Sequence, residues 1–108
     1  MTERYLSVEK LRTFIVSLFQ KIGCPLKDAE TVADVLLRGE LRGIPSHGVL
    51  RIKDYLQLYE AGRIKTKPEM KIVHETFSTA VLDGDGAFGM IPGIRGMEIA
   101  IEKAEKAA

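Results

Sequence analysis

Apolar residues recur at helical spacing over the first part of the chain. Ser7 precedes a stretch in which Leu11, Phe14, Ile15, Leu18, Phe19 and Ile22 fall three or four apart, and Gly23 follows as a stop. The pattern predicts an amphipathic helix. After Pro25, the run from Lys27 to about Leu41 places Ala29, Val32, Ala33, Leu36 and Leu37 on one side, with Gly43 and Pro45 closing it. That is a second helix, packed on the first. Ser46 is then placed to cap a third helix reaching about Ala61, with Val49, Ile52, Leu56 and Tyr59 as its apolar stripe and Gly62 as its terminator.

The pattern changes at Lys65 to Pro68, where Thr and Pro interrupt the helical period. Two short strand-like runs follow, Met70 to Glu75 and Thr79 to Leu82, and a turn at Thr76, Phe77 and Ser78 pairs them as a hairpin. A glycine-rich loop from Asp83 to Gly89 leads to Pro92 and a helical run with Ile94, Met97, Ala100, Ile101 and Ala104 at core spacing. No stop signal follows Ala108, so the chain is expected to be cut within that helix. The fold class is α+β: a three-helix unit over residues 1–64, then a hairpin, a glycine loop and a helix over residues 65–108. The second segment is expected to be the incomplete start of an α/β region, and the whole a partial domain of something larger.

Composition narrows the function classes. The 108 residues suffice for one small domain, and 45% hydrophobic with 29% charged residues is an ordinary globular balance. Sixteen Lys and Arg against fifteen Asp and Glu leave a net charge of +1, which offers no general attraction to nucleic acid or an anionic membrane. Cys24 is the sole cysteine, which excludes an internal disulfide and a multi-cysteine zinc site. The charged N-terminus carries neither a signal peptide's apolar core nor a spanning segment, so a reducing cytoplasm is the expected location. Any function must come from a local site.

The most informative string is Ser46-His47-Gly48-Val49-Leu50-Arg51-Ile52-Lys53-Asp54-Tyr55. On a helix, the four-residue spacing stacks His47, Arg51 and Tyr55 along one face, opposite the apolar stripe. An imidazole can give or take a proton near neutral pH, a guanidinium can grip a carboxylate with two hydrogen bonds, and a phenol can orient a hydroxyl or oxo group. Ser46 and the first-turn amides add donors where negative charge is favoured. A small 2-hydroxy or 2-oxo acid suits this set. Taken one at a time, each residue also has a plain structural role: Ser46 as an N-cap, Arg51 as solvated surface, Tyr55 as cover over the core. His74 lies in a strand-like run with no candidate ligand at a telling spacing and is expected to be exposed or hydrogen-bonded, and no metal site is expected.

Gly84, Gly86 and Gly89 satisfy G-x-G-x-x-G between a strand-like run and a helix. The match is discounted. Its strand belongs to a hairpin and not to a βαβ unit, and Asp83 and Asp85 would meet a pyrophosphate with like charge. The two Asp-Gly pairs read more simply as turn dipeptides, and the spacing lacks the remaining ligands of an EF-hand.

Leu41-Arg42-Gly43-Ile44-Pro45-Ser46-His47-Gly48, then Arg51 and Tyr55, then Ala61-Gly62-Arg63-Ile64, then Ala80-Val81-Leu82-Asp83-Gly84-Asp85-Gly86 with Gly89, occur here in order. Together they resemble the N-terminal portion of the malate/L-lactate dehydrogenase family, a group unlike the Rossmann-type enzymes that also includes ureidoglycolate and sulfolactate dehydrogenases. The specificity lies in R-G-x-x-S-H-G-x-x-R followed by the glycine-rich segment. The resemblance implies hydride transfer between NAD or NADP and a 2-hydroxy or 2-oxo acid, with His47 as acid/base assisted by Ser46, and with Arg51 and Tyr55 contacting substrate. It also implies a homo-oligomer and a cofactor held mainly beyond Ala108. Pro45 stands where an acidic residue is common, Glu40 where aspartate is usual and Lys53 where proline often follows the arginine. Pro45 is expected to change how the helix bearing His47 begins.

Two functions follow from this reading. The chain is either a fragment of a nicotinamide-dependent dehydrogenase, inactive alone, or a truncated helical module for binding or oligomerisation. A free-standing Rossmann-like binder is the weakest alternative and would require nucleotide affinity at the glycine loop.

Overall fold

The computed structural model describes residues 5–107. Among these the elements are α1 (Val8–Lys21), α2 (Leu26–Leu41), a 3-10 turn (Pro45–His47), α3 (Arg51–Glu60), β1 (Lys71–Glu75), β2 (Ala80–Asp83) and α4 (Met90–Ala107). The architecture is α+β, with one two-stranded antiparallel sheet. Two compact units divide it, one ending at Gln57 and one beginning at Leu58.

In the first unit, α1 and α2 pack face to face. Ile15, Phe19, Val32 and Leu36 are the largest side chains wholly removed from solvent, with Ala29 and Ala33 beside them on α2. Burial of each large residue contributes about 1.5–3 kcal/mol of transfer free energy. The expected stripe on α2 is buried throughout, but on α1 the buried residues are Ile15, Val16 and Phe19, while Phe14 is 60% exposed. The apolar stripe of α1 is thus wider than the face α2 covers. On the solvent side Arg12 bridges to Asp34 at 2.8 Å and Glu30 at 3.3 Å, a surface pairing that orients more than it stabilises.

The helix ends follow the sequence signals closely. Ser7 accepts a hydrogen bond from the Lys10 amide at the start of α1. At its end Gly23, at φ 105°, lets its own amide and that of Cys24 return to the carbonyls of Gln20 and Phe19. Gly43 after α2 and Gly62 after α3 repeat this double closure. Cys24 is buried just past the first closure, and desolvation, helped by the charge of Asp28, pushes its thiol up to about 11.

The third helix differs from its expectation. It begins at Arg51 and not at Ser46, and Ser46 caps nothing with its side chain. Pro45 opens a three-residue 3-10 turn, and Gly48, at φ −109° and ψ −141°, breaks the chain away before helical bonding resumes. Ile52 is the buried residue of α3.

In the second unit the hairpin forms as expected, shifted by one residue. Ile72 pairs with Leu82 and Glu75 with Ala80, and the register slips between Ile72 and His74. His74 lies exposed on β1. The turn is closed by Thr76 and Thr79, whose hydroxyls meet at 2.6 Å. Lys103 of α4 ties to it, donating to the Thr76 carbonyl at 2.6 Å and pairing with Glu75 at 3.3 Å.

Helix α4 corrects a second expectation. Its buried residues are Ile91 and Ile99, whereas Ile94, Met97 and Ile101 stand 44%, 62% and 51% exposed. The residues expected as core therefore stay largely exposed on α4, which packs on β2.

The glycine loop is a turn held by its own carboxylates. Asp83 accepts from the Asp85 amide, and Asp85, itself at φ 52°, accepts from Lys65 Nζ and from the Glu69 amide, each at 2.9 Å. The Glu69 amide and then Lys65 hold the Asp85 carboxyl below the usual carboxylate range. The folded loop thus releases this proton more readily than the unfolded chain. Its contribution is present above the ordinary carboxylate range and is lost as pH falls through the lowered value. Hydrogen-exchange protection of the Glu69 amide should accordingly hold through the ordinary carboxylate range and fall on acidification below it. In Asp85→Asn that acid dependence should disappear. Protection in the wild-type chain that stays level below that range as well would show that the carboxylate does not hold the loop.

Candidate functional site

The site forms where the 3-10 turn lies on the C-terminal end of α2. Two contacts set that position. Gly39 on α2 faces the carbonyl of His47 so closely that a Cβ there would stand 2.5 Å from its oxygen. One residue on, Glu40 Oε1 accepts the Val49 amide at 2.8 Å and lies against Gly48, where a Cβ would collide with the carboxylate. At Gly39 the obstacle is backbone and glycine is required, whereas at Gly48 a side chain would displace the Glu40 carboxylate from the Val49 amide.

Ser46 and His47 are joined side chain to side chain, with Oγ and Nδ1 2.9 Å apart. When the serine hydroxyl donates, Nδ1 is the acceptor and the ring proton resides on Nε2. Arg51 returns to the same turn, its Nε donating to the Ser46 carbonyl at 2.7 Å and one terminal nitrogen pairing with Asp54 at 3.0 Å. Arg51 and Tyr55 share a face of α3, as expected from their spacing. His47 does not, because it precedes the helix.

The structure nevertheless brings all three together. A cleft of about 410 Å³ is lined by His47, Arg51 and Tyr55, and by Arg38, Arg42 and Ile44. Val35, Leu36 and Gly39 complete its wall. Three arginines and a histidine line this cleft, and no acidic side chain does. Such a surface can hold a small anion through charge-assisted hydrogen bonds and exchange a proton with it. The first-turn amides expected as anion donors are less available than the sequence suggests, since the Val49 amide is taken by Glu40.

Sequence reasoning missed Glu40, Gly39, Arg38 and Arg42 as parts of the site. A signal for Glu40 existed: an acid in the last turn of a helix sits against the macrodipole, where cations are favoured. Its position calls for a partner, and the Val49 amide is that partner.

The glycine loop does not fit a dinucleotide phosphate. Its two carboxylates are turned onto Lys65 and loop amides, and the Ala87 amide is given to the Gly84 carbonyl. Gly84 itself lies against Pro92, where a Cβ would stand 3.1 Å from the ring. Among the described residues no group of three or more His, Cys, Asp or Glu is placed to hold a metal ion, and no helix is long and apolar enough to cross a membrane.

Comparison with known proteins places this geometry. The family model described as malate/L-lactate dehydrogenase matches residues 6–108. The chain belongs to the malate/L-lactate dehydrogenase family. A relative named malate dehydrogenase from Pyrococcus abyssi is 45% identical over 106 residues, covering 96% of this chain and 29% of that protein. The solved structure of sulfolactate dehydrogenase from Methanocaldococcus jannaschii superposes with a TM-score of 0.92 at 39% identity, over 94% of this chain and 30% of that one. A third relative, ureidoglycolate dehydrogenase (NAD(+)) from Escherichia coli O157:H7, is 33% identical over 101 residues, covering 94% of this chain and 29% of its own length. The chain thus spans just under a third of the length of these family members.

The docking of the turn is open to direct test. Gly39→Ala adds about 1 kcal/mol of helix propensity but forces overlap with the His47 carbonyl, a strain of about 1–3 kcal/mol. The expected net result is a lower urea midpoint with an unchanged slope, together with displaced His47 ring resonances. A midpoint that rises, with His47 undisturbed, would mean that the close approach does not constrain the turn.

Proposed function

We propose that this chain is the N-terminal portion of a nicotinamide-dependent oxidoreductase acting on a small 2-hydroxy or 2-oxo acid of the malate or lactate type, and that it is inactive alone. Residues 1–64 supply the substrate-facing helical part and residues 65–108 begin the α/β region. The observation that carries the reading is the convergence of His47, Arg51 and Tyr55 on one acid-free cleft. Family membership and the names of the relatives, malate and sulfolactate dehydrogenases and an NAD(+)-named ureidoglycolate dehydrogenase, support it.

NAD or NADP would supply or accept the hydride, and the residues that hold it are expected beyond Ala108, since the glycine loop does not fit that task. This chain's own residues bind and protonate. Arg51 has Nε committed to the Ser46 carbonyl and one terminal nitrogen to Asp54, which fixes its plane, and its other terminal nitrogen remains to meet the substrate carboxylate. Tyr55 orients the neighbouring hydroxyl or oxo group. Negative charge that develops on a substrate oxygen during reduction is met by a proton from His47, whose ring is held by Ser46 through Nδ1. In the oxidative direction the same ring receives the proton. The reading also takes the enzyme to be a cytoplasmic homo-oligomer.

A second reading rests on the exposed apolar face of α4, carried by Ile94, Met97 and Ile101. On that reading the chain is a helical binding or oligomerisation module without activity. The two separate on turnover. In the complete enzyme, His47→Ala should lower kcat about 10²–10⁴-fold while leaving nicotinamide affinity unchanged. Ordinary turnover in that variant would remove His47 from the acid/base role.

A further inference from the structure

The cleft carries more positive charge than one carboxylate requires. Arg38 and Arg42 lie four residues apart at the end of α2, stacked on one side of it, and both line the cleft that His47, Arg51 and Tyr55 share. Arg51 already serves the turn and Asp54. Arg38 and Arg42 form no side-chain hydrogen bond or ion pair with any described residue. The C-terminal end of α2 accounts for a cation at either position through its dipole. It does not account for their lining, with a third arginine, a cleft whose wall also holds apolar Val35, Leu36 and Ile44 and is free of acid. Like charges gathered on such a wall repel one another, and an anion seated among them relieves the repulsion. The chain as a whole is nearly neutral, so the concentration of charge is local to this cleft.

We infer that Arg38 and Arg42 form a second anion subsite in this cleft, which receives the distal carboxylate or sulfonate of a 2-hydroxy or 2-oxo acid while Arg51 holds the carboxylate next to the reacting carbon. The inference deepens the proposed function and rests on its placement of the acid at Arg51. It assigns the substrate to the dianionic class. A monoanion of the lactate type engages Arg51 alone and leaves the Arg38 and Arg42 pair facing water. The distal group is recognised by charge and not by geometry unique to one acid, so carboxylate and sulfonate should both be accepted. Because Arg38 lies on α2 and Arg51 on α3, the two subsites are held at a separation set by the docking of the Ser46–His47 turn.

The experiment is a titration of the 108-residue chain with L-malate, sulfolactate and L-lactate, followed by amide and side-chain NMR shifts, for wild type, Arg38→Gln/Arg42→Gln and Arg51→Gln. Unchanged spectral dispersion away from the cleft establishes that each variant is folded. In wild type, malate and sulfolactate should each bind about tenfold or more tighter than lactate, and the difference should shrink as salt is raised. The double variant should abolish the difference, so that both dianions bind no tighter than lactate does to the same variant, whereas Arg51→Gln should weaken all three. A dianion preference that survives in the double variant, or no preference in wild type, overturns the subsite while a loss in Arg51→Gln still upholds the proposed function. Dianion binding that depends on Arg38 and Arg42 but ignores Arg51→Gln keeps the subsite and sinks the placement of the acid. If none of the three acids shifts resonances of the cleft, both fail together. Selectivity for sulfolactate alone, or for malate alone, would overturn recognition by charge.

Discussion

Everything the site can do depends on one hydrogen bond and the void beside it: Glu40 Oε1 accepts the Val49 amide at 2.8 Å, while Gly39 and Gly48 leave room for backbone and carboxylate to meet. Without that anchor the Ser46–His47 turn would be an exposed connection between two helices, free to move as loops of its length do. With it, the imidazole is placed relative to α2, and α3 departs from a fixed point. Arg51 then reinforces the same position by donating to the Ser46 carbonyl. The turn is thus held by one carboxylate and one guanidinium. A side chain on a short turn gains its precision from such supports, and a displacement of about 1 Å is costly to any reacting geometry.

Much of the fold was legible because its determinants are local. The stripe of Ala29, Val32, Ala33, Leu36 and Leu37 repeats at 3.6 residues, and Gly23, Gly43 and Gly62 mark three helix ends where a left-handed residue closes the last turn. The hairpin was readable for the same reason. What the pattern does not reveal is what tertiary contacts decide. Ser46 before an apolar run has the composition of a helix cap, yet its hydroxyl goes to His47, because Pro45 and the pull of Glu40 on Val49 place a 3-10 turn ahead of the helix. His47, Arg51 and Tyr55 therefore share a cleft without sharing a helical face. The grouping was visible in the spacing; the geometry that produces it was not.

The outer helix shows a different gap between pattern and packing. Periodicity in α4 reports that Ile94, Met97 and Ile101 belong to an apolar face, but it carries no information about what covers that face. The hairpin takes the opposite side, through Ile91, Ile99 and the stem of Lys103, leaving the predicted core stripe in solvent. An apolar surface of this kind is ordinary at an edge that belongs to a larger fold, and this chain spans just under a third of the length of its relatives.

The glycine loop and the basic cleft together show how little a motif says before its partners are known. Gly84, Gly86 and Gly89 have the spacing of a phosphate-binding turn, but Gly86 is there for its φ of 71°, Gly84 lies against Pro92, and a side chain at Gly89 would meet nothing. Their carboxylate neighbours bond to Lys65 and to backbone amides, so the negative charge is taken up within the chain. Arg38 and Arg42 present the opposite case. Arg42 opens the R-G-x-x-S-H-G-x-x-R string, which gives it no stated role, Arg38 lies outside any motif, and on a helix wheel they are two more solvated cations near a C-terminus. Charge that is paired within the chain builds structure, whereas charge that converges unpaired on a cleft is left for a ligand. By that criterion the acid-free cleft between α2 and the Ser46–His47 turn, and not the glycine-rich loop, has the charge suited to an anion.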